Sequence, residues 1–146
     1  MHVYTIGFTQ KKAEHFFTLI RNSNIRTLID VRLNNISQLS GFAKKDDLRF
    51  FLRELCDASY IHLPDWAPTK DILSAYQKKA ITWDAYQDKF LNLMARRSIE
   101  KDVDQSVLEQ GCLLCSEHQP HHCHRRLVVE YLNEHTGLEL QVKHLI

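Results

Sequence analysis

The chain begins with "HVYTI", a β-prone stretch closed by Gly7. The spacing of apolar positions then becomes helical over "KKAEHFFTLIRNSN", where Phe16, Leu19 and Ile20 fall on one side. A second strand is predicted at "RTLIDV", followed by the irregular segment "RLNNISQLSGFAKK" and a helix over "DDLRFFLRELCDAS" with Asp46 or Asp47 at its cap. A short strand, "YIHL", stops at Pro64. Residues 69–110 contain neither glycine nor proline and read as helices over "KDILSAYQKKA", "WDAYQDKFLNLMARRSIEKDV" and "DQSVLEQ". A fourth strand, "GCLLCSE", a helix from about Pro120 to His135 and a last strand, "LELQVKHL", finish the pattern.

Strands separated by helices predict an α/β fold in three layers, with a mostly parallel sheet of about five strands between helices on both faces. No linker or low-complexity stretch flanks residues 69–110, so positions 1–146 read as one domain with a helical insertion there. Ligands of such folds bind beyond the carboxyl ends of the strands. That rule gathers Thr5, Gly7, Phe8, Asp30, Arg32, His62, Asp65, Cys115 and Glu117 along one edge.

Composition narrows the picture. With 146 residues, 44% of them hydrophobic, the chain has material for a sizeable core. Lys and Arg number 19 against 18 for Asp and Glu, so any anion site is a local one. Met1 is followed directly by the first strand, and no apolar run approaches membrane-spanning length; a cytoplasmic protein with no membrane partner is expected. Four cysteines, Cys56, Cys112, Cys115 and Cys123, are expected as thiols, ligands or core fillers rather than as a disulfide framework.

The densest chemistry lies in "CLLCSEHQPHHCHRRLVVEYLNEH". Cys112 and Cys115 have the C-x-x-C spacing of a zinc site, with Cys123, His118, His121, His122 and His124 as further donors. On a strand, however, positions three apart face opposite ways, so no structural metal and no cofactor are expected, and Cys112 reads as a small buried residue. Cys115 ends its strand, and the loop after it leads to a helix start that favours an anion or a thiolate, with Arg125 and Arg126 as bidentate donors. Arg125 should face the strand ends and carry more of an anion preference than Arg126. Core packing competes for Cys123, which shares a stripe with Leu127 and Tyr131, while His121 and His122 read as solvated. Asp30 and Arg32 point the same way, either toward a ligand or into a structural ion pair. Glu117 is placed to act as an acid or base, or to hold His124 or an arginine. Trp66 and Trp83, with Tyr60, Tyr76 and Tyr86, read as packing residues, with stacking of a base on Trp66 as the lesser reading.

These stretches resemble the domain of unknown function family 488. The resemblance rests on "YTIGFT", "LIDVR", "GFAKKDDLRFFL", "YIHLPDWAP", "ILSAYQKKAITWDAYQDKFLNLM" and, most specifically, "LLCSEHQPHHCHRRLVVEYL", with Cys-x-Glu at a strand end and Cys-His-Arg at a helix start. It implies an α/β fold and brings no assigned reaction. After "DVR" the family often carries an extra basic residue and a Pro or Ser, where this chain has "LNNISQ". "DVR" is also similar to rhodanese domains, but the loop from Cys115 to Arg125 is long and lacks glycine, which makes sulfur transfer the minority reading.

The leading expectation is an enzyme or enzyme-like domain that holds an anionic small molecule or nucleotide. Cys115, Glu117, Cys123 and His124 are its candidate catalytic residues, and Thr5, Gly7, Asp30, Arg32 and Arg125 its ligand contacts. The rival is a non-catalytic module for a ligand or nucleic acid, the latter weakened by the near-zero net charge. A third reading is a metal-dependent hydrolase or deaminase built on His118, Cys123 and His124.

Overall fold

Five strands form the centre of the computed structural model, which describes residues 1–36, 41–117 and 119–146. They are β1 (His2–Gly7), β2 (Thr27–Asp30), β3 (Ser59–His62), β4 (Gly111–Cys115) and β5 (Gln141–Leu145). All are parallel, in the order β3-β2-β4-β1-β5. Every residue of β4 is buried, as expected of a central parallel strand covered on both faces, and its sequence "GCLLC" is correspondingly apolar.

Strand alternation sends the two halves of β4 into different cores. Cys112 and Leu114 pack with Ile6, Leu28 and the helices α1 (Ala13–Asn22) and α2 (Lys45–Phe51). Leu113 and Cys115 pack on the other face with Val3, Ile29 and three helices: α4 (Trp83–Arg97), the short α5 (Gln105–Leu108) and α6 (His124–His135). Before α4 comes α3 (Lys70–Gln77). Thr69 and Thr82 cap α3 and α4 by accepting the backbone N–H groups of Ile72 and Ala85. This is the expected three-layer α/β architecture with a helical stretch between β3 and β4. No helix among the described residues is long and apolar enough to cross a membrane.

Two local expectations, the cap of α2 and the start of α6, are corrected, and the apolar side of α1 gains Phe17. α2 starts after Lys44, an extended residue with no capping side chain, so Asp46 and Asp47 sit in the first turn, where their charge suits the helix dipole, and not at the cap. α1 turns Phe16, Phe17 and Ile20 into the core and leaves Leu19 at its margin. α6 begins at His124, not near Pro120, because Cys123 is extended (φ −139°, ψ 138°) and carries the chain across toward β4 before the helix can start. The irregular segment after β2 is described as far as Ile36 and again from Gly41.

Candidate functional site

The chain leaving β2 runs outward to β3, while the chain leaving β4, the neighbour of β2, runs the other way to β5. Where two adjacent strands send their connections in opposite directions, a crevice opens beyond their carboxyl ends. A cavity of about 570 Å³ lies there. Its walls are Arg32 from the turn after β2, Cys115, Ser116 and Glu117 from the end of β4, and His122, Cys123 and His124 from the entry to α6. α3 and α4 close it with Tyr76, Trp83 and Tyr86. A cavity of similar volume between α1 and α2 is lined by Phe17, Phe42, Phe51 and Leu55 and holds none of the sheet-edge residues.

Asp30 is fully buried and its carboxylate is saturated. Its Oδ1 accepts the Arg32 backbone N–H at 3.1 Å and Nε at 2.8 Å, and its Oδ2 accepts Arg32 Nη2 at 2.7 Å and the Tyr60 hydroxyl at 2.5 Å. A carboxylate offers about four lone-pair positions, so none is left for a ligand. Asn35 donates to the same Tyr60 oxygen, and His62 bonds the Arg32 carbonyl at 2.8 Å. Arg32 is thereby locked, with its cation 5.5 Å from the centre of the Phe8 ring. Its remaining nitrogen, Nη1, is buried and has no hydrogen-bond partner among the described residues.

Arg125 has no exposed surface. Its Nε donates to Thr5 Oγ1 at 3.2 Å, and the Thr5 hydroxyl in turn reaches His144 Nδ1. Nη1 bonds the Glu117 carbonyl and approaches the sulfurs of Cys115 at 3.3 Å and Cys123 at 3.8 Å. Burial lowers its pKa to about 10, which leaves it charged at neutral pH. Nearby Lys11 is pulled down to about 8, by burial first and the Arg125 charge second. The Glu117 carbonyl can come this close only because position 7 is glycine: a Cβ there would stand 1.6 Å from the carbonyl oxygen and 2.9 Å from Arg125 Nη1.

Cys115 and Cys123 are joined as a disulfide, with their Cα atoms 7.6 Å apart. This corrects the expectation of thiols, ligands or core fillers rather than a disulfide. Cys56 and Cys112 are free, and burial pushes the Cys112 thiol well up, as suits a core residue on the opposite face from Cys115. His124 bonds the Val31 carbonyl through Nε2 at 2.6 Å. A carbonyl only accepts, so Nε2 carries the hydrogen and Nδ1 keeps its lone pair. Burial lowers the imidazole to about 4, against the upward pull of the Val31 bond.

A family model, described as Domain of unknown function DUF488, matches residues 12–132. The chain belongs to that family. No curated protein and no solved structure matches it. The span matched to DUF488 begins after "YTIGFT", so Thr5 and Gly7 lie outside it.

In this DUF488 chain the nine residues named as candidates fall into two shells. Arg32, Cys115, Glu117, Cys123 and His124 line the cavity. Thr5, Gly7, Asp30 and Arg125 lie behind them and hold them: Asp30 fixes Arg32, while Thr5 and Gly7 position Arg125 against the Cys115–Glu117 turn. Glu117 meets Arg125 through its backbone carbonyl, and its side chain is exposed. His118 lies outside the described residues. Trp66 is buried in the core, which removes the base-stacking reading; Trp83 takes the wall position instead, stacked between Tyr86 and His122. His121 and His122 are exposed as expected but stack on each other.

Sequence reasoning missed Tyr60 and Asn35 as supports and the wall built by α3 and α4. A signal existed for Tyr60: in parallel register Leu28 pairs with Tyr60 and Asp30 with His62, so Tyr60 shares a face with the buried carboxylate.

Proposed function

We propose that this protein is an enzyme or enzyme-like domain that binds an anionic small molecule, phosphate- or nucleotide-containing, in the cavity between β2 and β4. The observation that carries this reading is Arg32 Nη1, a buried guanidinium nitrogen with no partner among the described residues, in a side chain that forms part of the cavity wall. An unmade hydrogen bond on a buried donor costs about 1 to 3 kcal/mol, more when it is charged, and an anion removes that cost. Asp30 occupies Nε and Nη2 and so fixes the plane of the guanidinium and the direction of Nη1. Tyr76, Trp83 and Tyr86 add flat apolar surface suited to the ring of a nucleotide. Glu117, exposed at the rim, is the acid or base.

Calorimetric titration with inorganic phosphate and with nucleoside phosphates is the test. Arg32→Lys keeps a charge but loses the planar fork, so its binding should weaken by about 1.5 to 3 kcal/mol, the range for hydrogen bonds to charged groups. An unmodified protein that takes up none of these anions, or an Arg32→Lys variant that binds as well as the parent, would sink the reading.

A further inference from the structure

Three of the cavity's side chains carry a possibility that anion binding does not use. Among the described residues, Cys115, Cys123 and His124 form a cluster whose ligand atoms all lie within 4.8 Å of one another, and all three residues are buried. We infer that the dithiol form of this pocket binds one zinc-class divalent ion through the sulfurs of Cys115 and Cys123 and Nδ1 of His124, with one coordination position open to the cavity.

The backbone spacing supports this. The Cα atoms of Cys115 and Cys123 are 7.6 Å apart, whereas disulfides usually span about 4.4 to 6.8 Å. Two thiolates on one tetrahedral zinc, with Zn–S bonds of about 2.3 Å, hold their sulfurs about 3.8 Å apart and suit a wider spacing. His124 has the hydrogen bonding of a metal-bound histidine, with Nε2 fixed by a backbone carbonyl and Nδ1 left with a lone pair. Arg125 Nη1 lies where a donor to metal-bound sulfur belongs.

Charge argues the same way. Two buried thiolates would be poorly compensated by Arg125, whose Nη1 they share with the Glu117 carbonyl. A doubly positive ion cancels them, and the remaining charge of Arg125 then matches an anion in the cavity. Three protein ligands and an open position form the pattern of catalytic rather than structural zinc sites. Cys112 has no part in it, since it faces the other core.

The inference deepens the proposed function, since the open position faces the same space as Arg32, and it is tested with metal alone. The disulfide is first opened with a water-soluble phosphine, which becomes the phosphine oxide by taking oxygen from water while both sulfurs become thiols. Metal binding then releases their two protons. After gel filtration with Zn²⁺ or Co²⁺, elemental analysis should find about one ion per chain, and the cobalt form should show sulfur-to-metal charge transfer and tetrahedral d–d bands. Cys115→Ser and Cys123→Ser should each abolish uptake and Cys112→Ala should not. His124→Gln should weaken binding more than about tenfold, the scale on which even outer-shell partners act.

Once reduced, the protein of unaltered sequence supplies a readout that needs no variant. Zn²⁺ should slow alkylation of Cys115 and Cys123 by iodoacetamide at least about tenfold, as expected of thiolates engaged by metal, and leave Cys56 unchanged. Reduced protein that takes up less than about a tenth of an ion per chain, uptake that survives both serine variants, or unchanged alkylation overturns the site. If phosphate still binds in that case, the metal inference fails alone; if zinc binds and no anion does, the proposed function fails alone.

Discussion

A methyl group at position 7 has nowhere to go, since the two nearest atoms it would meet are backbone and the next is the Arg125 guanidinium. Gly7→Ala is therefore expected to cost about 3 kcal/mol or more, the upper end of overpacking effects, read as a lower urea midpoint. Arg125→Ala should be comparably severe, at about 3 to 5 kcal/mol, because it strips the partners from a buried network, whereas Arg126→Ala, which breaks a surface pair with Glu130 and a cation–π contact with Trp83, should cost about 1 kcal/mol. The helical spacing rightly turned Arg125 toward the strand ends. It did not show that the guanidinium would be consumed there by Thr5, sulfur and a carbonyl, because the path of residues 116–123 follows no periodic pattern. His124 supplies a pH signature for the metal-free protein. Its folded value of about 4 lies below the ordinary 6.5, so its contribution is fully present above pH 6.5 and is lost as pH falls toward 4. At most about 3 kcal/mol is involved, and His124→Gln, which keeps a donor for Val31, should flatten that part of a stability-versus-pH curve.

At the level of elements, the chain's own chemistry set the strands and the starts of α3 and α4 well, and the starts of α2 and α6 less well. β4 was legible because an apolar run closed by a polar residue has few other uses, and β2 because "TLID" brings its carboxylate to the strand end. α6 was read several residues too long, since Pro120 suits a first turn equally well whether or not Cys123 must stay extended to meet Cys115. α2 shows the same weakness: acidic residues attract a cap assignment, yet Lys44 holds the position with the extended backbone a cap requires and no side-chain acceptor. Lys44→Ser should therefore add an N-cap bond and raise stability by about 0.5 to 2 kcal/mol, detectable as a higher thermal midpoint. The stretch between β3 and β4 was visible as helices but not as a wall of the cavity, because nothing in a helical pattern states which neighbour its aromatic face will meet.

On the scale of the whole molecule, the topology rule carried the most information: parallel strands and their carboxyl edge gathered Arg32, Cys115 and Glu117 before any contact was known. What it could not supply was depth, the difference between groups that line the cavity and groups that brace it, since that depends on side-chain packing across layers. The strand order has a further consequence for how the chain comes into being. β1 pairs only with β4 and β5, and β2 meets the larger half of the sheet only through β4. On a ribosome the first strand thus emerges with no partner and waits until the segment beyond residue 110 has followed it, a long loop to close before any contact rewards it. A fragment ending at residue 110 is expected to show no cooperative thermal transition, with only the short β2–β3 pairing available to it. During synthesis the exposed apolar faces of α1 and β1 would be a natural station for a chaperone, and the segment beyond residue 110 would act as the keystone that releases them.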